Sequence, residues 1–238
     1  GKNLLIDGGM KSSSFDAGDM VVEPFLRYRG VSAVDAVVLT HPHNDHVGGL
    51  FHVLENFKVN HFIARDGMNQ NDEIYQKICK IAKQKKILYG DNPNDLFVGC
   101  ELSQIEFLPR LEIPLQEPES DSNNNSIVLK IRYGEVEILF TGDIEAEAEQ
   151  LLLRKDITLK ADILKAPHHG SDTSSTEKFV QAVNPQYVVF PVGIRNRFGF
   201  PSSIVVERYN KIDAKTYRTD QTGAITFYSD GKNVWVRK

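Results

Sequence analysis

The stretch that decides the fold is His41-Pro-His43-Asn-Asp45-His46-Val-Gly-Gly49. It follows an apolar run at 36–40, which predicts a buried strand, and it precedes a helical pattern at 48–56. Four potential metal ligands therefore share one tight turn at a strand end, where side chains can be directed into a common cavity. Imidazole nitrogens and carboxylate oxygens suit a borderline divalent cation such as Zn²⁺.

The ligands in this turn divide into two predicted pairs. We expect His41 and His43 to face one ion and Asp45 and His46 to face a second. Asp7, which ends an earlier predicted strand, is expected to orient one ligand histidine. An aspartate that merely closes a strand in a turn is an equally open interpretation of that residue.

Two later segments place further ligand types at predicted strand ends. Asp143 closes an apolar strand, and its two oxygens can bridge two cations and offset their repulsion. His168 and His169 follow another strand, and an extended backbone cannot direct both rings at one ion. We assign His168 to metal binding and His169 to catalysis, as a substrate contact or proton donor. Asp45 and Asp143 also enter the catalytic set as acceptors of a water proton.

Composition describes a soluble globular chain. The 238 residues are 41% hydrophobic and 25% charged, which excludes general disorder and allows one large domain or two small ones. A net charge of -4 provides no global positive field that would attract nucleic acid. No apolar run approaches the roughly 20 residues that span a bilayer, so no integral membrane segment is expected in this chain.

Runs of strand length alternate with helical patterns, which predicts a single mixed α/β domain over 1–238. The predicted strands cover 2–7, 36–40, 61–64, 87–89, 104–108, 126–133, 136–140, 161–166, 187–190, 215–218, 224–229 and 233–237. The predicted helices cover 23–29, 48–56, 72–83, 145–155, 176–183 and 202–211. Two strand-rich halves with outer helices predict a four-layer αββα sandwich.

Taken together, these segments resemble the metallo-β-lactamase superfamily, and most of all its competence-related, ComEC-like branch. The resemblance covers nearly the whole chain and implies the αββα fold, a hydrolytic site with two divalent ions, either zinc or manganese, and degradation of the DNA strand that is not imported. The matching stretches are Leu5-Ile-Asp-Gly-Gly9, Thr40-His-Pro-His-Asn-Asp-His46, Asn123-Asn-Asn-Ser126, Leu139-Phe-Thr-Gly-Asp143 and Lys165-Ala-Pro-His-His-Gly-Ser171.

The resemblance also assigns supporting residues around the ligands. Asn125 stands near the place where many members of the superfamily carry a ligand histidine, which implies a weaker or wetter metal site. Phe200 stands where the branch often has histidine, so a proton donor or substrate contact is missing. The residues implied to support the ligands or to touch substrate are Asn125, Ser126, Ser171 and Asp220.

The resemblance favours a phosphodiester substrate, because metal ligands by themselves do not choose between substrates. DNA or another phosphodiester is the expected partner, and Arg195, Arg197 and Lys165 are candidate phosphate contacts, with solubilising surface charge as the alternative. Hydrolysis of small esters, thioesters or choline-phosphate groups is a second interpretation, and a degenerate metal-binding module is a third. Membership in a larger membrane protein would place the domain outside a bacterial membrane, whereas a stand-alone chain fits the cytoplasm.

Overall fold

The computed structural model describes residues 1–64, 73–90, 103–108 and 122–237. The chain divides into two compact units, Gly1–Val98 and Gly99–Lys238. The single domain expected over 1–238 stays a prediction. Residue 72 of the predicted helix 72–83 lies outside the described residues.

The first unit is built on a four-stranded parallel sheet whose strands follow one another in chain order, β1-β2-β3-β4. These strands are β1 (Leu4–Ile6), β2 (Ala33–Val38), β3 (Lys58–Ile63) and β4 (Leu88–Gly90). The helices are α1 (Glu23–Tyr28), which continues a π-helical turn at Gly18–Val22, α2 (Asn44–Val47), α3 (Leu50–Asn56) and α4 (Glu73–Lys85). Each parallel connection passes through a helix, as such pairings require.

The second unit contains a six-stranded mixed sheet in the order β10-β9-β8-β7-β6-β5. Its strands are β5 (Ser103–Phe107), β6 (Leu129–Tyr133), β7 (Val136–Phe140), β8 (Ile163–Lys165), β9 (Tyr187–Phe190) and β10 (Lys215–Arg218). The helices are α5 (Ala146–Arg154), α6 (Glu177–Val183), α7 (Ser203–Asn210) and α8 (Thr219–Thr222). A separate antiparallel hairpin joins β11 (Thr226–Ser229) to β12 (Val234–Arg237).

Most predicted elements are present, with shifted ends. The hairpin of β6 and β7 turns at 134–135 as expected, with Gly134 in the left-handed region at φ 62°. The strand predicted at 126–133 begins only at Leu129, and the strand predicted at 161–166 is confined to Ile163–Lys165. The short helix Thr219–Thr222 was not predicted. Among the described residues, no helix has the length and apolarity that crossing a bilayer demands.

Each unit has an apolar core of its own. In the first unit, Leu50 and Leu54 of α3 pack in a cluster with Val37 and Phe62 of the sheet. In the second unit, Phe179 of α6 belongs to a cluster with sheet and helix residues such as Leu164, Val188 and Tyr209. These side chains are almost fully buried and hold the helices against the strands.

The candidate site residues follow strands that run in parallel. Asp7 follows β1 and His41 follows β2, and these two strands pair in parallel. In the second unit, Asp143 follows β7 and His169 follows β8, again a parallel pair. Because the carboxyl ends of parallel strands meet at one edge of a sheet, each unit gathers its polar loops at a single edge.

Candidate metal centre

Three imidazole rings of the first unit gather on the segment after β2. His41 and His46 are only 1% and 2% exposed, and their ring centroids lie 4.1 Å apart. The His43 ring centroid lies 4.7 Å from that of His41 at a steep angle. The side chain of Asp45 is 53% exposed, and its Oδ2 lies 3.9 Å from His46 Nε2. The four ligands expected in this turn therefore lie together in the first unit.

The turn that carries two of these ligands is helical, whereas the sequence predicted a helix only from residue 48 onward. The backbone of His43 is extended (φ -64°, ψ 145°) and leads directly into the helix Asn44–Val47. Behind this helix, a Cβ atom on Gly49 would lie 2.1 Å from the carbonyl oxygen of Gly8. Only glycine permits this close approach, which brings the end of β1 against the histidine turn.

Asp7 holds one of the histidines in a defined tautomer. Its Oδ2 lies 2.7 Å from His46 Nδ1, and its two oxygens also accept the backbone N–H and the hydroxyl of Thr40, each at 2.8 Å. Burial would raise the pKa of the Asp7 carboxyl, but His46 and the Thr40 N–H hold that pKa below its ordinary value. Because a carboxylate only accepts hydrogen bonds, His46 carries its hydrogen on Nδ1 and keeps the Nε2 lone pair for a metal.

In the second unit, the carboxylate of Asp143 is buried and held from several sides. Its backbone N–H donates to Ser126 Oγ at 3.0 Å. The Lys165 ammonium lies 3.1 Å from Asp143 Oδ1 and donates to the carbonyl oxygens of Gly142 at 2.6 Å and Ala166 at 3.2 Å. The Lys165 ammonium thus binds oxygens of the protein itself and orients Asp143. The sequence had instead suggested Lys165 as a phosphate contact.

His169 faces the other oxygen of the same carboxylate. Its Nδ1 donates to the carbonyl oxygen of Pro191 at 2.7 Å, so Nε2 carries the lone pair when the ring is neutral. Nε2 lies 3.1 Å from Asp143 Oδ2. Two such electron-rich atoms attract one another only through a shared proton or a metal cation.

His168 turns to different partners. His168 and His169 both have left-handed backbones, at φ 44° and 55°, so the two adjacent rings diverge. His168 Nδ1 lies 3.1 Å from Glu145 Oε1, and its ring packs against Phe200 at a centroid distance of 5.7 Å. The sequence had assigned metal binding to His168, but it is His169 that lies beside Asp143.

The remaining predicted residues have partners of their own. Ser171 is buried, and its hydroxyl hydrogen-bonds that of Thr173 at 2.9 Å. Asp220 accepts hydrogen bonds from Arg218 at 3.0 and 2.7 Å, and these hydrogen bonds lower the pKa of its carboxyl. Asn125 is partly buried in the turn before β6.

Sequence reasoning missed several supporting groups. Thr40 and Glu145 are neighbours of predicted ligands in the chain, and that proximity was an available signal. Asn124 Oδ1 accepts the backbone N–H of Glu145 at 2.8 Å, so it fixes the residue that pairs with His168. The carbonyl oxygen of Pro191 that orients His169 has no side-chain signature and could not have been found.

These donor sets fit a divalent cation. Imidazole nitrogen and carboxylate oxygen are ligands that zinc and manganese accept. His46 and His169 each bind a fixed acceptor through Nδ1 and present Nε2, which is the usual arrangement of a metal-ligating histidine.

The comparison with known families agrees with this chemistry. The profile of the metallo-beta-lactamase superfamily matches residues 1–193. The chain belongs to the metallo-β-lactamase superfamily. This membership confirms the predicted metallo-β-lactamase fold and makes the chain a hydrolase of a superfamily that binds divalent metal ions.

Two curated relatives of this metallo-β-lactamase chain bear competence-related names, which confirms the resemblance stated from the sequence. ComE operon protein 3 of Bacillus subtilis is 30% identical over 91% of this chain and 27% of its own length. Competence protein ComA of Neisseria gonorrhoeae is 30% identical over 95% of this chain and 30% of its own length. The chain thus spans less than a third of the length of these relatives.

A solved structure supports the metallo-β-lactamase fold assignment. The CmlA beta-hydroxylase E377D mutant superposes with a TM-score of 0.50 at 14% identity, covering 79% of this chain and 43% of that one. At this identity the likeness concerns the fold alone.

Proposed function

We propose that this chain is a metal-dependent phosphodiesterase that cleaves DNA during competence-related DNA uptake. The observation that carries the proposal is its 30% identity to the two competence proteins over 91% and 95% of its length. The ligand-type side chains in both units supply the chemistry that hydrolysis of a phosphodiester needs. Membership in a longer membrane-associated protein belongs to the same proposal.

The protein is proposed to bind two ions, either zinc or manganese, through side chains that each unit contributes. The proposed ligands of the first unit are His41, His43, Asp45 and His46, and those of the second unit are Asp143 and His169. When bound, such ions activate water for attack near neutral pH and offset the negative charge on phosphate oxygens.

The surrounding residues have distinct roles in this proposal. Asp7 keeps the lone pair of His46 on Nε2, and Lys165 keeps one oxygen of Asp143 turned away from His169. His169 takes the metal-binding role that the sequence had assigned to its neighbour. Asp45, which is exposed, is suited to receive a proton from water.

His168 and Glu145 are proposed to transfer the proton that the leaving group needs. The Glu145 carboxylate binds Nδ1 of His168, which orients the ring and raises its basicity. His168 Nε2 is then the atom that exchanges a proton with the departing oxygen. This pair supplies the proton donor that was expected to be missing because Phe200 replaces a histidine.

The test begins with protein stripped by a chelator and reloaded with Zn²⁺ or Mn²⁺. We expect metal-dependent cleavage of labelled single- or double-stranded DNA, and a lower rate on bis(p-nitrophenyl) phosphate. A metal-replete protein that hydrolyses only small esters, or nothing, would refute the proposal.

A matched pair of variants tests the two histidine roles. His169→Ala is expected to lower both the bound metal and the turnover, because it removes a ligand. His168→Ala is expected to keep its metal and lose turnover, because it removes only a proton donor. Metal analysis of both purified variants separates these outcomes, and the opposite pattern would restore the assignment made from the sequence.

A further inference from the structure

The loop at 193–200, between β9 and α7, exposes an aromatic ring beside two arginines. Phe198 is 64% exposed, and the guanidinium carbon of Arg197 lies 5.0 Å from its ring centroid. The rings of Phe198 and Phe200 stack, with centroids 5.6 Å apart and planes inclined by 18°. Arg195 is also exposed. The loop therefore presents a short stack of planar groups to solvent.

This loop is held in shape by its own hydrogen bonds. The side chain of Asn196 donates to the carbonyl oxygen of Phe200 at 2.9 Å and accepts the backbone N–H of Phe200 at 2.8 Å. The loop closes on itself through these two bonds, so the aromatic stack needs little ordering when a ligand binds.

Both ends of the loop are tied to the segment that carries the adjacent histidines. At the start, His169 donates to the carbonyl oxygen of Pro191, and at the end Ser202 donates its N–H to the carbonyl oxygen of Gly170 at 2.9 Å. The ring of Phe200 contacts that of His168. The Phe200 end of the 193–200 loop therefore lies beside His168.

We propose that the 193–200 loop binds an unpaired nucleotide strand, with one base stacked on Phe198 and the phosphates near Arg195 and Arg197. The inference rests on the proposed nuclease function and names its substrate as single-stranded DNA. Exposed aromatic rings bind single strands because an unpaired base has a free π face, and arginines attract the backbone. A duplex keeps its bases stacked on one another and offers no such face.

Charge favours a nucleic acid over a protein partner. The segment Gly-Ile-Arg-Asn-Arg-Phe-Gly-Phe at 193–200 contains two arginines and no acidic residue, whereas the whole chain has a net charge of -4. A local positive patch on an acidic protein is complementary to a polyanion.

The test measures binding without cleavage, in the presence of EDTA, by fluorescence anisotropy of labelled oligothymidylate. Phe198→Ala is expected to raise the Kd about 10-fold, because stacking of a base on an aromatic side chain has an effect of that order. Phe198→Trp is expected to retain affinity. Tyr228→Ala removes another exposed aromatic ring, on the β11–β12 hairpin, and is expected to leave the Kd unchanged.

A second readout locates the contact. Trp235 is the single tryptophan of the chain, so Phe198→Trp combined with Trp235→Phe places the only indole in the loop. Stacking of thymine is expected to quench the fluorescence of this indole. The Kd from the quenching titration should equal the Kd from fluorescence anisotropy. Arg195→Gln is expected to reduce the slope of log K against log salt by about 0.7, and Arg237→Gln to leave it unchanged.

The proposal fails if Phe198→Ala and Tyr228→Ala bind the oligonucleotide with the same Kd. It also fails if a duplex of equal length binds the native protein as tightly as the single strand does and loses as much affinity on Phe198→Ala. The binding assay contains EDTA, so its result does not depend on nuclease activity. If the protein binds the oligonucleotide through Phe198 but does not cleave DNA when metal is supplied, the proposed nuclease function is wrong and the binding loop stands. If the protein cleaves DNA but its binding does not depend on Phe198, the binding loop is wrong and the nuclease function stands.

Discussion

Replacing Asp7 by asparagine is expected to weaken metal binding through His46. In the native chain, Asp7 Oδ2 accepts the Nδ1 hydrogen of His46 at 2.7 Å and the hydroxyl hydrogen of Thr40 at 2.8 Å. Asparagine retains one oxygen for the Thr40 N–H, which leaves its NH₂ group facing His46. That ring must then carry its hydrogen on Nε2, and its lone pair turns away from the metal.

The expected size follows from the lost orienting bond. Removal of such a partner lowers metal affinity about 10- to 100-fold, which corresponds to about 1.4–2.7 kcal/mol. The fold also loses a hydrogen bond to a buried charged group, and this lowers the free energy of unfolding by about 1.5–3 kcal/mol. The two effects are measured separately, by calorimetric titration of chelator-stripped protein with Zn²⁺ and by urea unfolding in EDTA.

Asp35→Asn is the matched control in the same unit. The Asp35 side chain is 17% exposed against 13% for Asp7, and it accepts the N–H of Asn3 at 2.8 Å and the Lys2 ammonium at 3.0 Å. This control is expected to lower stability without changing metal affinity. Equal metal affinity in Asp7→Asn and the native chain, in a folded protein, would refute the role given to Asp7.

Three further predictions concern the second unit. Burial raises the pKa of Glu149, so ionising this carboxyl costs more free energy in the folded protein than in the unfolded chain. The free energy of unfolding of the native protein, relative to that of Glu149→Gln, should therefore fall as the pH rises from about 4.5. Urea unfolding at pH 4.5 and pH 7 measures this difference, and an increase with pH contradicts the prediction. Phe179→Ala should lower the free energy of unfolding by about 3–5 kcal/mol, because the ring is fully buried; a loss below 1 kcal/mol is the contrary result. Lys165→Met should lower the free energy of unfolding by about 3 kcal/mol, because the buried Asp143 carboxylate loses its cationic partner. Adding Asp143→Asn to that variant should restore part of the lost stability. If the losses of the two single variants simply add in the double variant, the two side chains do not stabilise one another.

Much of the fold could be predicted from the chain alone. The apolar run at 36–40 and the run at 136–140 appear as β2 and β7, because strand-length apolar segments bounded by polar turns have few other stable arrangements. Element ends were less predictable, since Leu129 and Ile163 begin their strands only where a neighbouring strand supplies hydrogen bonds.

The residue types at strand ends also indicated which residues are candidates for the site. Short polar segments after apolar strands contain His41, His46 and Asp143, and this order can be recognised in the sequence. The turn around His46 proved helical because glycines behind it allow a close approach of β1, a contact between segments distant in sequence.

The sequence by itself determined the superfamily and the candidate ligand residues, because both depend on residue identity and local order. Only the tertiary structure decided which histidine nitrogen lies beside which carboxylate oxygen. His169 rather than His168 reaches Asp143 because two successive left-handed residues turn the rings apart and the carbonyl oxygen of Pro191 holds one of them. Such pairings depend on backbone torsions and on contacts across parallel strands, and no residue pattern along the chain encodes them directly.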